Sequence, residues 1–379
     1  MREYDVTRVW GIPIRVHVSL LVILPILAYL IGSGEQIGLY AGLIESLTGT
    51  SLDVAVLRQG NTPWVIGSVA AVALFVSVLL HELGHAWMAM RYDLDVESIT
   101  LWILGGLANL GSIPREWKKE FWIAVAGPIV SVATGVVCYL ALFAVPASAD
   151  VTTFVVGWLA VTNLTLAVFN MLPAFPMDGG RVLRALLARN RPYVAATRTA
   201  ARIGSIFAIL FAVFGILPPI QPMFLLLALF IYGAANSESR MVALSDLLEG
   251  LTVGELASGT DATIDAGETV DDLVSRMFAD RRTQFVVTEN GTPVGVVSAV
   301  DFRALSPEER ATTTVDALVE RDLPRFDAGM AAFDALVELD GNRTTEAIVE
   351  DAAGSRVITR ADFAAAMEMR RLVGTHEPF

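Results

Sequence analysis

His81-Glu82-Leu83-Gly84-His85 lies inside an apolar run from Trp64 to Met90. On a helix, the imidazoles of an H-E-x-x-H pattern stand four residues apart on one face. Both can ligate one zinc ion there, and the glutamate can take a proton from water that the metal activates. The chain has only four histidines, and this pattern uses two of them. An ionisable group at the centre of a bilayer costs roughly 2.5 to 3.5 kcal/mol. Three together in a membrane-length segment therefore call for a function rather than for two satisfied core histidines.

Two imidazoles leave a zinc ion short of ligands, because catalytic sites generally take three from the protein and keep one position for water. Asp178 is the best candidate for the third, in the stretch Asn170-Met171-Leu172-Pro173-Ala174-Phe175-Pro176-Met177-Asp178-Gly179-Gly180. Depth supports it. With a cytoplasmic N-terminus, His81 and His85 fall near the cytoplasmic end of their span, and the span from Thr152 ends at the same level just before Pro173. Pro173 and Pro176 break the helix, which is tolerated at membrane depth only where the freed backbone lines protein or a wet cavity. Asp178 has a competing use as N-cap of a helix beginning near Gly180. Asn170 is either an interhelical hydrogen-bonding group or an amide that holds substrate backbone or an oxyanion. These parts imply metal-assisted amide hydrolysis, with Glu82 as general base and then as proton donor to the leaving amine. A scissile bond within a lipid-embedded helix must first be freed by local unwinding, since every backbone amide there is paired.

The elements that would position these residues are membrane spans. The 379 residues are 54% hydrophobic with mean hydropathy +0.57, and apolar stretches near 17–32, 64–90, 121–145, 152–172, 203–217 and 223–236 are candidate spans. The last two, split by Pro218, Pro219 and Pro222, could also form a hairpin entering partway. Cationic residues fall in segments 91–120 and 173–202, the latter with Arg181, Arg184, Arg189, Arg191, Arg198 and Arg202, whereas the opposite loops hold only Arg58. This asymmetry puts both termini in the cytoplasm of a multi-pass cell-membrane protein. His17 reads as a cap or snorkelling group at the first span and His376 as solvated. The segment 33–62 contains apolar stretches and is expected to fold back on the membrane surface. Val96 to Ile113, broken by Gly105-Gly106, reads as extended strands whose edge could pair with a substrate backbone. Cys138, alone in its span, excludes an intramolecular disulfide.

Beyond the spans the composition changes. Residues 1–243 hold 14 acidic and 15 basic side chains, and residues 244–379 hold 26 and 12. So acidic a tail would repel phosphates and excludes nucleic acid as a partner. Helix is expected over Thr269 to Arg281, strands over Gln284 to Thr288 and Val294 to Ser298 about an Asn290-Gly291 turn, and helix again from Ala299. A weaker copy follows at about 60-residue spacing, with Ala332 to Leu339 helical, strands at Thr345 to Glu350 and Arg356 to Thr359, and a helix from Arg360.

His81-Glu82-Leu83-Gly84-His85, Leu104-Gly105-Gly106, Ala126-Gly127-Pro128, and Asn170-Met171-Leu172-Pro173 with Asp178-Gly179-Gly180 resemble, in order, the pattern of the site-2 protease family of intramembrane zinc metalloproteases. The resemblance covers about residues 1–240. It implies a membrane-embedded core, zinc on His81, His85 and Asp178, Glu82 as base, and cleavage of membrane-spanning regulatory proteins. Asn170, Gly105 and Gly106 become candidate substrate or oxyanion residues. The family often has asparagine shortly after the Gly-Pro pair, where this chain has Ser131.

The tail resembles a pair of cystathionine-β-synthase-type (CBS) domains through the stretch from Gly291 to Phe302. That resemblance implies ATP or AMP as a regulator, Ser298 and Asp301 contacting ribose or phosphate, and a homodimer formed through the pair. The second repeat lacks a counterpart of Gly295, which leaves a structural or dimerising role open beside nucleotide binding. The expected fold is a polytopic α-helical membrane protein of about six transmembrane helices, residues 1–243, followed by a cytoplasmic α/β CBS pair, residues 244–379, with repeats about 250–305 and 312–370. Two rival classes are a metal-ion transporter with a nucleotide-sensing cytoplasmic domain and an inactive scaffold. A transporter should line a path with polar groups on several spans, and here they concentrate at one level.

Overall fold

The structure is a computed structural model describing residues 3–49, 51–103, 105–110, 114–146, 148–257, 263–319, 321, 323–342, 344–351 and 354–374. The chain divides into two compact units, Met1–Ser239 and Arg240–Phe379.

The first unit opens with a hairpin that the mixed-charge N-terminus does not announce. Strands β1 (Glu3–Val9) and β2 (Ile12–His17) meet at Trp10-Gly11, both with positive φ, as a tight hairpin turn requires. Helix α1 (Val18–Gly32) follows, its N-terminus capped by His17, whose Nδ1 accepts from the Ser19 amide. Helix α2 (Gly34–Thr48) bends away from it by 66°. Ile37, Ala41 and Ile44 of α2 are buried in one core with Ile66, Phe154 and Trp158, so this segment packs on the helices beside it. A short α3 (Val54–Leu57) leads to α4 (Thr62–Arg91), which carries the histidine pair near its far end. Helix α1 crosses α4 where only glycine fits, since a β-carbon on Gly67 would stand 1.9 Å from the Ala28 carbonyl oxygen.

After α4 come β3 (Val96–Trp102) and β4 (Gly105–Leu110), the extended pair anticipated for this segment. Gly105 and Gly106 open β4, while Leu104 and residues 111–113 lie outside the described residues. The sheet order is β1-β2-β3-β4, with β2 and β3 parallel and the other pairs antiparallel, which leaves β4 at an edge. Ile12, Ile14 and Ile99 of this sheet pack on Ala86 and Leu83, bracing the last turns of α4.

Helices α5 (Trp117–Leu142), α6 (Asp150–Asn170), α7 (Asp178–Ala188), α8 (Tyr193–Ile216) and α9 (Pro222–Leu247) complete the unit and lead to the tail. Among the described residues, α4, α5, α6 and α8 are each long and apolar enough to cross a membrane, and the bent pair α1 and α2 passes the same test together. Helix α9 is apolar only as far as Ala235. Helix α8 begins ten residues before the apolar run that marks it, because the polar stretch from Tyr193 is helical too.

The tail contains α10 (Val253–Leu256), β5 (Thr263–Asp265), α11 (Val270–Asp280), β6 (Gln284–Glu289), β7 (Thr292–Ser298), α12 (Pro307–Thr312), a 3-10 turn at Val315–Leu318, β8 (Arg325–Asp327), α13 (Ala332–Gly341), β9 (Glu346–Asp351), β10 (Gly354–Thr359) and α14 (Arg360–Gly374). Each repeat is a three-stranded sheet, β5-β6-β7 or β10-β9-β8, whose outer short strand runs parallel to its neighbour. Two expectations are corrected. Residues 299–304 form turns rather than a helix, because Ser306 and Glu309 form a capping box with Pro307 at the first helical position and start the helix there. The repeats also exchange their leading segments. Leu248 and Val253 are buried in the core of the second repeat, and Val315 in that of the first.

Candidate metal centre

Nε2 of His81 lies 3.1 Å from Nε2 of His85, and Oδ2 of Asp178 lies 3.1 and 3.2 Å from the two nitrogens. All three residues are buried, at 4, 5 and 8% exposure. Donor atoms on a tetrahedral zinc, each about 2.0 to 2.2 Å from the metal, stand about 3.3 Å apart. The observed triangle matches that spacing.

The other side of each ring is fixed as well. Nδ1 of His85 faces the Ile123 carbonyl oxygen at 2.7 Å. A carbonyl only accepts, so this nitrogen carries a proton and leaves Nε2 as the atom that a metal could take. Nδ1 of His81 pairs with Ser131 Oγ at 2.9 Å. Nε2 lone pairs and a carboxylate converging at 3.1 to 3.2 Å offer three donor atoms to one cation. Among the described residues this is the one grouping of three or more such side chains that could hold a metal ion.

Three elements build the triangle. Helix α4 supplies both imidazoles. Helix α5 passes directly over them at Gly127, where a β-carbon would stand 2.3 Å from His85 Nε2. Asp178 is the first residue of α7, with Met177 in the cap position, so it is not the N-cap. The chain between Asn170 and Asp178 doubles back so tightly that a β-carbon on Gly179 would stand 2.3 Å from the Leu172 carbonyl oxygen.

Glu82 is half-buried, and Gly106 at the start of β4 lies against it, leaving a β-carbon there only 2.3 Å from Glu82 Cγ. The edge strand and Glu82 are therefore neighbours. Asn170 ends α6, half-buried. In the tail, Ser298 and Asp301 close on each other, with Asp301 Oδ2 accepting from the Ser298 amide at 2.6 Å and from its hydroxyl at 2.9 Å. Thr359 and Asp362 repeat that arrangement at 2.7 and 2.9 Å, a correspondence that the Ser/Thr-x-x-Asp spacing in both repeats already carries.

Sequence reasoning missed three features of the centre. The Ser131 contact had a signal, since Ser131 follows Gly127 by one helical turn. The Ile123 carbonyl had none, being backbone. Arg184, counted only as one cation of segment 173–202, is buried at 1% exposure on α7.

The model of peptidase family M50 matches residues 69–149 and 146–211. A protein of Mycobacterium tuberculosis named as a candidate zinc metalloprotease, Rip3, is 30% identical over 392 aligned positions, covering 98% of this chain and 94% of its own. The solved site-2 protease from Methanocaldococcus jannaschii is 32% identical and covers 63% of this chain and 96% of its own, with a TM-score of 0.42. The CBS domain of a bacterial CNNM/CorC family Mg2+ transporter, solved with ATP, covers 35% of this chain and 97% of its own at 23% identity and a TM-score of 0.31. The chain belongs to peptidase family M50, the site-2 proteases, and is an intramembrane zinc metalloprotease.

Proposed function

We propose that His81, His85 and Asp178 hold the zinc ion, that Glu82 is the general base, and that the enzyme cuts a transmembrane protein substrate near the cytoplasmic face of the membrane. The observation that carries the ligand set is the triangle of donor atoms 3.1 to 3.2 Å apart with both Nδ1 atoms already engaged. When bound, zinc supplies an activated water at neutral pH and charge stabilisation for the oxyanion. Glu82 takes the proton from the attacking water and later delivers it to the leaving amine. The unwound substrate lies along the edge of β4, whose Gly105 and Gly106 let an extended backbone approach Glu82 closely. The Asn170 amide holds that backbone or the developing oxyanion.

Further parts of the reading concern the surroundings. Six crossings, α1, α4, α5, α6, α8 and α9, place both termini and the tail in the cytoplasm, in line with the cationic inner loops. The tail is a CBS pair, supported by its two three-stranded repeats. It binds ATP or AMP, with Ser298 and Asp301 meeting ribose or phosphate, and joins two copies of the chain. Zinc per protein after dialysis in buffered zinc tests the ligand set. Asp178→Ala should lose metal that wild type and Glu82→Gln retain, and equal zinc content in Asp178→Ala would remove Asp178 from the set.

A further inference from the structure

Arg184 is held from four sides. Its Nε donates to Glu120 Oε1 at 2.7 Å, and its Nη1 donates to Glu238. The rings of Phe175 and Tyr193 each have their centroid 5.0 Å from its guanidinium carbon. The Tyr193 hydroxyl also donates to the same Glu120 oxygen, at 3.4 Å. The first turn of α5, the turn before α7, the start of α8 and the body of α9 thus meet on one side chain. A guanidinium fork paired with two carboxylates and lying near two aromatic rings is narrowly confined.

Arg184 and Asp178 belong to the same eleven-residue helix. They lie about 9 Å apart along its axis, near enough for the helix to move as one body. A side-chain oxygen about 5 to 6 Å from a helix axis moves about 1 Å for a 10° rotation, whereas metal–ligand distances tolerate about 0.2 Å. Some device must fix the rotation of α7. Stability alone is a poor account of this network, because a buried ion pair seldom outperforms apolar packing and Glu120 Oε2 is buried without a hydrogen-bond partner among the described residues.

We propose that Arg184 is the positioning residue that sets Asp178 toward zinc, and that Glu238 on α9 is its adjustable anchor. The proposal rests on the reading of Asp178 as third ligand. Glu238 is the half-buried carboxylate of the network, its side chain 32% accessible where that of Glu120 is at 0%. Helix α9 runs unbroken from Glu238 to Leu247, so a shift of α9 reaches Asp178 through Arg184.

The test is zinc affinity of the full chain in detergent, by competition with a chromophoric chelator, with circular dichroism to verify folding. Arg184→Gln should weaken zinc binding by about 10-fold to 100-fold, as loss of an outer-shell partner does. Arg184→Lys should recover part of that loss, since it keeps the charge without the fork. Glu238→Gln should weaken binding by about 3-fold to 10-fold and add nothing on top of Arg184→Gln. If Arg184→Gln does not fold, Glu238→Gln, altered at a part-exposed position, decides alone. Wild-type affinity in the folded variants while Asp178→Ala loses zinc overturns the proposal. Additive losses in the double variant overturn the role of Glu238, and retained zinc in Asp178→Ala overturns the ligand reading instead.

Discussion

Replacing Gly127 by alanine should disable the metal centre while leaving the fold nearly as stable. A β-carbon at this position would stand 2.3 Å from His85 Nε2, 2.6 Å from its Cε1 and 2.8 Å from His81 Nε2, against 3.4 Å for ordinary contact. The His85 ring or α5 must therefore retreat by about 1 Å, and close-packed interiors resist such shifts. The rings cannot slide freely, because their Nδ1 atoms are held at 2.7 and 2.9 Å. Overpacking costs about 1 to 3 kcal/mol, and alanine in place of a mid-helix glycine returns about 1 kcal/mol. The net loss of stability is then at most about 2 kcal/mol. Zinc affinity should fall by about 10-fold to 100-fold, because a 1 Å displacement is about five times the tolerance of a metal–ligand distance. Chelator competition, with thermal unfolding of the metal-free protein as control, reads both effects. Wild-type zinc affinity and turnover in Gly127→Ala would refute the placement of α5 as the wall of the site.

Glu82→Gln should keep zinc and lose turnover by about 10²-fold to 10⁴-fold, as removal of a general base does; residual activity near wild type would exclude it as the base. Ser131→Ala should weaken zinc binding by about 10-fold through the freed His81 ring, and Ser131→Asn should restore part of it, measured by the same competition. Gly106→Val should displace Glu82 and cut turnover with zinc content unchanged, read as cleavage rate per bound zinc. In the tail, the Thr269 hydroxyl and then its amide hold the Asp272 carboxyl below its ordinary value of 3.8. A carboxyl lowered in the folded state stabilises above its unfolded value and ceases to as pH falls through the folded one. The melting temperature of Asp272→Asn should therefore lie below wild type at pH 7, and the gap should close below about pH 4.

The cluster of His81, His85 and Asp178 was legible because ionisable residues are scarce in apolar runs, and because counting spans from the arginine-rich loops brings the three to one depth. The edge hairpin was legible from Gly105-Gly106 amid β-branched residues. The β1–β2 hairpin was not, since a register shift between Asp5 and Thr7 interrupts the alternation of β1 and only Trp10-Gly11 marks the turn. Strands β5 and β8, three residues each, exist because a parallel neighbour accepts them, which no local pattern records. The exchange of leading segments in the tail is likewise tertiary: Val253 is apolar in either repeat, and only packing decides which. The buried role of Arg184 was not legible because charge counting does not separate one arginine of segment 173–202 from another, and its two carboxylate partners stand 64 and 54 residues away.

The central claim is that these residues cut peptide bonds within the membrane. Its most direct measurement is cleavage of a single-span protein co-reconstituted in lipid vesicles with purified, zinc-loaded enzyme, wild type beside Glu82→Gln at equal zinc content. Wild type should cleave the substrate, a zinc chelator should abolish that cleavage, and Glu82→Gln should lack it. Cleavage that persists in Glu82→Gln or under chelation would contradict the claim.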